Sequence, residues 1–134
     1  GKNVPTPDLN EVKNQIYGVT DCIEKGLVFA CHDISEGGVA ASLCEMTFGN
    51  SIGCSVNIES KLSTEKVLFS ETGGFILETK NENIEYIQSI FKQYKLDAYV
   101  IGITGSNKIK LNDTVDITVN NAKKSWENGL RDKL

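Results

Sequence analysis

The chain has 134 residues, enough for one domain with a real core. Apolar residues make up 40% and charged residues 24%, the balance of an ordinary soluble globular protein. A net charge of -4 without a basic stripe argues against nucleic-acid binding, and no apolar run approaches the roughly 20 residues that span a bilayer.

Residues 1–7 read as a linker, punctuated by Pro5 and Pro7, and the domain proper is expected over residues 8–134. The chain opens on Gly1 rather than Met and is expected to be a fragment of something longer. It shows no signal-peptide hydrophobic region, so a cytoplasmic location is expected. A helix is predicted from Asp8 to Lys25, with Leu9, Val12, Ile16, Val19 and Ile23 at helical spacing on one face. Asp8 and Glu11 have capping-box spacing, and Gly26 is a natural stop.

Leu27–Cys31 reads as a strand apolar on both faces and therefore central in its sheet. A second helix follows from Gly37 to Phe48. Ile52–Ile58 alternates like a half-buried strand. Lys61–Lys66 reads as a polar connection, Val67–Glu71 as a short apolar segment and Phe75–Thr79 as a strand. A helix is predicted over Asn83–Tyr94, with Ile84, Ile87, Ile90 and Phe91 inward, then a strand over Ala98–Thr104. Lys108–Leu111 and Val115–Val119 form a hairpin around Asn112-Asp113, and the last helix covers Asn121–Arg131. This order predicts an α/β (α+β) fold: a mixed sheet of about four or more strands, with helices packed mainly on one face.

Four cysteines, Cys22, Cys31, Cys44 and Cys54, lack C-x-x-C spacing. They read as reduced core residues rather than a zinc or redox site.

The chemistry concentrates in His32-Asp33-Ile34-Ser35-Glu36-Gly37-Gly38, between the first strand and the second helix. A helix start offers N–H groups and the positive end of the dipole, which suits a phosphate. A plain strand-to-helix turn would account for Ser35 and one glycine. It leaves unexplained the chain's only histidine and two carboxylates at the same place. Ser35, Glu36, Gly37 and Gly38 are therefore the expected phosphate-binding residues. His32 and Asp33 are candidates for catalysis, better read as groups that orient substrate than as a self-sufficient acid–base pair. The second constellation, Leu68-Phe69-Ser70-Glu71-Thr72-Gly73-Gly74, fits a tight turn as well as it fits a site, with Glu71 as a possible cleft residue. Glu45 reads as a surface charge.

These segments resemble the C-terminal AIR-synthase-related domain of the phosphoribosylformylglycinamidine synthases. The family carries a His-Asp-[Val/Ile]-Ser-Asp-Gly-Gly segment and a helix ending in Glu-Met, similar to His32–Gly38 and Glu45-Met46. Leu68-Phe69-Ser70-Glu71 resembles its Leu-Phe-x-Glu segment, and Ile101-Gly102-Ile103 its late strand; Pro5, Asp8, Leu9 and Trp126 also fit. Glu36 stands where the family usually has Asp, and Gly73-Gly74-Phe75 where it commonly has an arginine.

The resemblance implies an ATP-dependent ligase of purine biosynthesis. It converts formylglycinamide ribonucleotide, ammonia and ATP into formylglycinamidine ribonucleotide, ADP and phosphate, activating the amide oxygen as an iminophosphate. It also implies that ATP and Mg²⁺ are held mainly by an N-terminal ATP-binding domain outside this chain, with no cofactor in the fragment itself. A glutamine amidotransferase supplies the ammonia. The fragment alone is expected to be inactive. The competing expectation is a non-catalytic phosphate-ligand-binding or scaffolding domain of the same superfamily.

Overall fold

The computed structural model describes residues 6–129. The chain divides into two compact units. The first joins the residues up to Glu36 with Glu71–Val100; the second joins Gly37–Ser70 with the residues from Ile101 onward.

The first unit holds α1 (Leu9–Glu24), β1 (Val28–Asp33), β3 (Phe75–Thr79) and α4 (Ile84–Gln93). Asp8 caps α1, its carboxylate accepting from the N–H groups of Asn10 and Glu11 at 2.8 and 3.3 Å. Glu11 accepts instead from the Gln15 amide one turn on, so the reciprocal half of the capping box is replaced by a helix-surface pair. Val19 and Cys22 of α1 pack with Ile87, Ile90 and Phe91 of α4 into one apolar core. Leu27, Val28, Leu77 and Ala98 close over it. The Tyr94 hydroxyl donates to Asp21 at 2.7 Å and ties α4's end to α1.

Two expectations are corrected in this unit. The inward stripe of α1 is narrower than its periodicity suggests: Leu9, Ile16 and Ile23 are exposed, and the side chains of α1 buried in the core against α4 are Val19 and Cys22. The strand at Leu27–Cys31 is not central. β1 pairs antiparallel with β3 and with no other strand among the described residues. Its burial alternates, and Phe29 is 68% exposed. A continuous apolar run is compatible with a two-stranded ribbon when one face is left uncovered. Cys31 lies on that exposed side, while Cys22 and Cys54 are buried and Cys44 is half-buried.

The second unit holds α2 (Gly38–Thr47), β2 (Cys54–Val56), α3 (Thr64–Phe69), β4 (Gly102–Thr104), β5 (Lys108–Leu111), β6 (Val115–Thr118) and α5 (Val119–Asn128). Its four strands form one mixed sheet in the order β4-β2-β5-β6, with β2 parallel to β5 and the other pairs antiparallel. The expected mixed α+β fold with a four-stranded sheet is thus present. Cys54 and Val56 stand opposite Ile109 and Leu111, and all four are buried on one face. The other face carries Lys108 and Lys110 around Asp116.

Asn112 and Asp113 have φ of 43° and 47°, the geometry of a tight primed hairpin turn. The Asn112 side chain also clasps Ile58, accepting from its N–H at 2.8 Å and donating to its C=O at 2.9 Å, which ends β2. The expected strand at Ala98–Thr104 shortens to Gly102–Thr104, because Ala98 packs on the helical core and its carbonyl accepts from Gln88. Residues 64–69 form the short α3 rather than a plain connection, anchored by fully buried Leu68. Leu130 and Arg131, expected in the last helix, lie outside the described residues.

Candidate functional site

β1 delivers His32 and Asp33 at its end. The imidazole is about one-quarter exposed, and its Nδ1 lies 2.6 Å from the Asp33 carbonyl oxygen and 3.6 Å from the Asp33 carboxylate. A carbonyl oxygen only accepts, so in this contact the imidazole donates through Nδ1. The Asp33 side chain is 63% exposed. Beside them, burial and the Asp33 carboxylate hold the Cys31 thiol above its ordinary range, so it is no ready nucleophile.

The two motifs singled out in the sequence meet twice. In the first unit, His32 and Asp33 stand opposite Ile76 and Phe75, and the Ile34 N–H donates to Gly74 at 2.9 Å. The β1–β3 ribbon thus brings the end of the second motif to the start of the first. Ser35, Glu36 and Glu71 are exposed.

In the second unit, Gly38 opens α2 with a φ of +65° and is buried. A Cβ there would stand 2.8 Å from the carbonyl oxygens of both Leu68 and Ser70. Gly38 therefore lets the first turn of α2 lie directly on the backbone of the second motif. Gly37 takes the N-cap position with a φ of 80°, a left-handed conformation that favours glycine.

Sequence reasoning missed the far end of α2. Glu45 is not a plain surface charge: its carboxylate accepts from the Trp126 indole N–H at 3.1 Å. The two residues are 81 positions apart, so no local spacing could pair them. An open apolar groove of about 390 Å³ runs beside α2, lined by Ala41, Cys44, Phe48, Leu111 and Trp126 among others. Among the described residues, no group of three or more His, Cys, Asp or Glu side chains is placed to hold a metal ion.

Residues 1–113 match the sequence model of the AIR synthase related protein, C-terminal domain. The chain belongs to this family. It is 29% identical over 140 residues to the phosphoribosylformylglycinamidine synthase subunit PurL of Methanothrix thermoacetophila, covering 100% of this chain and 18% of that protein. It is 35% identical over 127 residues to the corresponding subunit of Lactobacillus delbrueckii, covering 92% of this chain and 16% of that protein. The AIR-synthase-related domain thus spans under one-fifth of the length of these relatives.

Its fold is that of Thermotoga maritima PurL. The structure complexed with ATP superposes with a TM-score of 0.78 at 20% identity, over 89% of this chain and 23% of that one. The structure complexed with FGAR gives 0.77 at 20% identity, over 89% and 22%. That of PurLQS gives 0.77 at 20%, over 87% and 22%. Within the family, two sequence features of this domain are easily accommodated. Glu36 is exposed, so its longer arm displaces nothing. Gly73, near the family's usual arginine position, has a φ of +82° and open space around its Cα. No described helix is long and apolar enough to cross a membrane.

Proposed function

We propose that the chain is the C-terminal AIR-synthase-related domain of a phosphoribosylformylglycinamidine synthase, acting in purine biosynthesis as one wall of its substrate cleft. The activity is the ATP-dependent conversion of formylglycinamide ribonucleotide and ammonia into formylglycinamidine ribonucleotide, ADP and phosphate. ATP and Mg²⁺ are held mainly by the N-terminal ATP-binding domain of the same enzyme, where the metal neutralises phosphate charge during transfer. A glutamine amidotransferase subunit or domain supplies ammonia, and the cytoplasm is the setting. Family membership supports this reading, together with relatives that carry the synthase name over nearly the whole of this chain.

The observation that supports the site is the start of α2, where two successive glycines in the left-handed region follow directly on the His32–Glu36 segment. In this reading the loop of Ser35, Glu36, Gly37 and Gly38 meets the phosphate-bearing end of the nucleotide substrate. Gly37 and Gly38 offer backbone N–H groups and the helix dipole, and the Ser35 hydroxyl adds a donor. Glu36 is an anion and cannot itself bind phosphate; it serves as an exposed acceptor for a cation or a sugar hydroxyl. His32 orients substrate, with Asp33 and Glu71 as cleft carboxylates.

Gly38 is a poor probe of this role, because any side chain there also strikes Leu68 and Ser70. Exposed Ser35 is a clean one. Ser35→Glu in the full synthase should raise the substrate KM about tenfold or more, the cost of a like charge beside a phosphate. An unchanged KM in the folded variant removes Ser35–Gly38 from the phosphate site.

A further inference from the structure

Two faces of α2 meet different surroundings. One is buried, at Ala40, Ser42 and Leu43. The other carries Gly37, Ala41, Cys44 and Phe48 at helical spacing and lines the apolar groove of about 390 Å³. Ala122 and Trp126 of α5, four residues apart, line the same groove. α5 runs antiparallel to α2. The Lys123 ammonium donates to the Phe48 carbonyl at 3.3 Å. Three residues further along α5, the Trp126 indole donates to Glu45, three residues back along α2, at 3.1 Å. The Trp126 ring also meets Phe48, 5.7 Å between centroids.

Large side chains thus fill the groove at its Phe48 end, and the small Ala41 and Gly37 line its other end. Among the described residues, α5 lines the groove through Ala122 and Trp126. Gly129 follows α5 with helical φ and ψ of -56° and -26°. The next position on the face of Ala122 and Trp126 is Leu130, and Leu134 follows four residues later. In the antiparallel register, four residues past Trp126 lies level with Ala41, four residues before Glu45, a step of about 6 Å along the axis. Residues 130–134 belong to the same compact unit as the groove.

We propose that residues 130–134 close this groove, with the Leu130 side chain seated over Ala41 and Leu134 directed towards Gly37. Two leucines at helical spacing match an apolar floor of small residues, while Arg131, Asp132 and Lys133 between them keep their charges in water. The occupant is a segment of the same chain, and the proposal is independent of the phosphate reading above.

The test uses the 134-residue chain with methyl-labelled alanine and leucine. The Leu130 methyls should show nuclear Overhauser contacts to the Ala41 methyl, the signature of side chains packed at about 4–4.5 Å. Leu130→Asp should uncover the groove. Its thermal midpoint should fall by about 4 °C or more, and fluorescence of the apolar probe 8-anilinonaphthalene-1-sulfonate should rise severalfold. Lys133→Asp should leave both readings at the wild-type level. Should Leu130→Asp not fold, Leu130→Ala decides by the same probe.

A folded, monomeric chain without the Leu130–Ala41 contact leaves the groove to another partner and overturns the proposal. So does a contact seen only between labelled and unlabelled copies in a dimer detected by sedimentation, which assigns the groove to a second copy. Equal probe binding by wild type and Leu130→Asp overturns it as well.

Discussion

At the scale of single residues, Gly38 and Cys54 carry the clearest consequences. Gly38 combines a left-handed backbone with contacts that leave no room for a methyl group. Gly73 has the same backbone sign and open space. Gly38→Ala should therefore cost about 2–4 kcal/mol, strain plus overpacking, and Gly73→Ala only about 1–2 kcal/mol. Urea unfolding of the two variants checks this, and equal losses would contradict it. Burial first, and the neighbouring Cys44 second, push the Cys54 thiol up to about 11 from 9.0. A raised value means that the folded state keeps its proton while the unfolded state loses it. The stability is whole below pH 9 and falls as pH rises towards about 11, by about 2–3 kcal/mol. Unfolding free energies measured from pH 8 to 11 should show that decline, and Cys54→Ala should flatten it. A decline of equal size in Cys54→Ala would assign it to other groups.

At the scale of elements, the helices divide by what faces them. Ile90 of α4 is 2% exposed in the core against α1, and Ile16 of α1 is 47% exposed although it lies on the same periodic stripe as Val19. Ile90→Ala should cost about 2–5 kcal/mol and Ile16→Ala under about 1 kcal/mol. Denaturant midpoints decide, and comparable losses would mean that Ile16 is covered. This contrast also marks what sequence can tell. Periodicity located α1, α2 and α4 within a residue or two, because each helix keeps a 3.6-residue pattern whatever it packs against. It could not give the width of the buried stripe on α1, which depends on what the helix packs against. The Asn112-Asp113 turn was legible because two successive left-handed residues favour that dipeptide. The edge placement of β1 was not, because an apolar run reads alike in a central strand and in a ribbon with one open face. In the site, the His32–Gly38 loop stood out by composition, and the Glu45–Trp126 bond did not, since only the folded chain joins positions so far apart.

At the scale of the whole molecule, family and length frame the proposed function. It belongs to the AIR-synthase-related C-terminal family and spans under one-fifth of the relatives that carry the synthase name. β1 ends in His32 and the exposed Asp33 carboxylate, and α2 opens on two glycines. Amide activation by ATP needs a positioned nucleotide held in line. The most direct measurement is ADP release from ATP in the presence of formylglycinamide ribonucleotide and ammonium, with residues 1–134 alone and then with the N-terminal ATP-binding domain supplied. The account predicts no substrate-dependent release from the chain alone and recovery on addition of that domain. Substantial substrate-dependent release by the chain alone, or none once the two are combined, would contradict it.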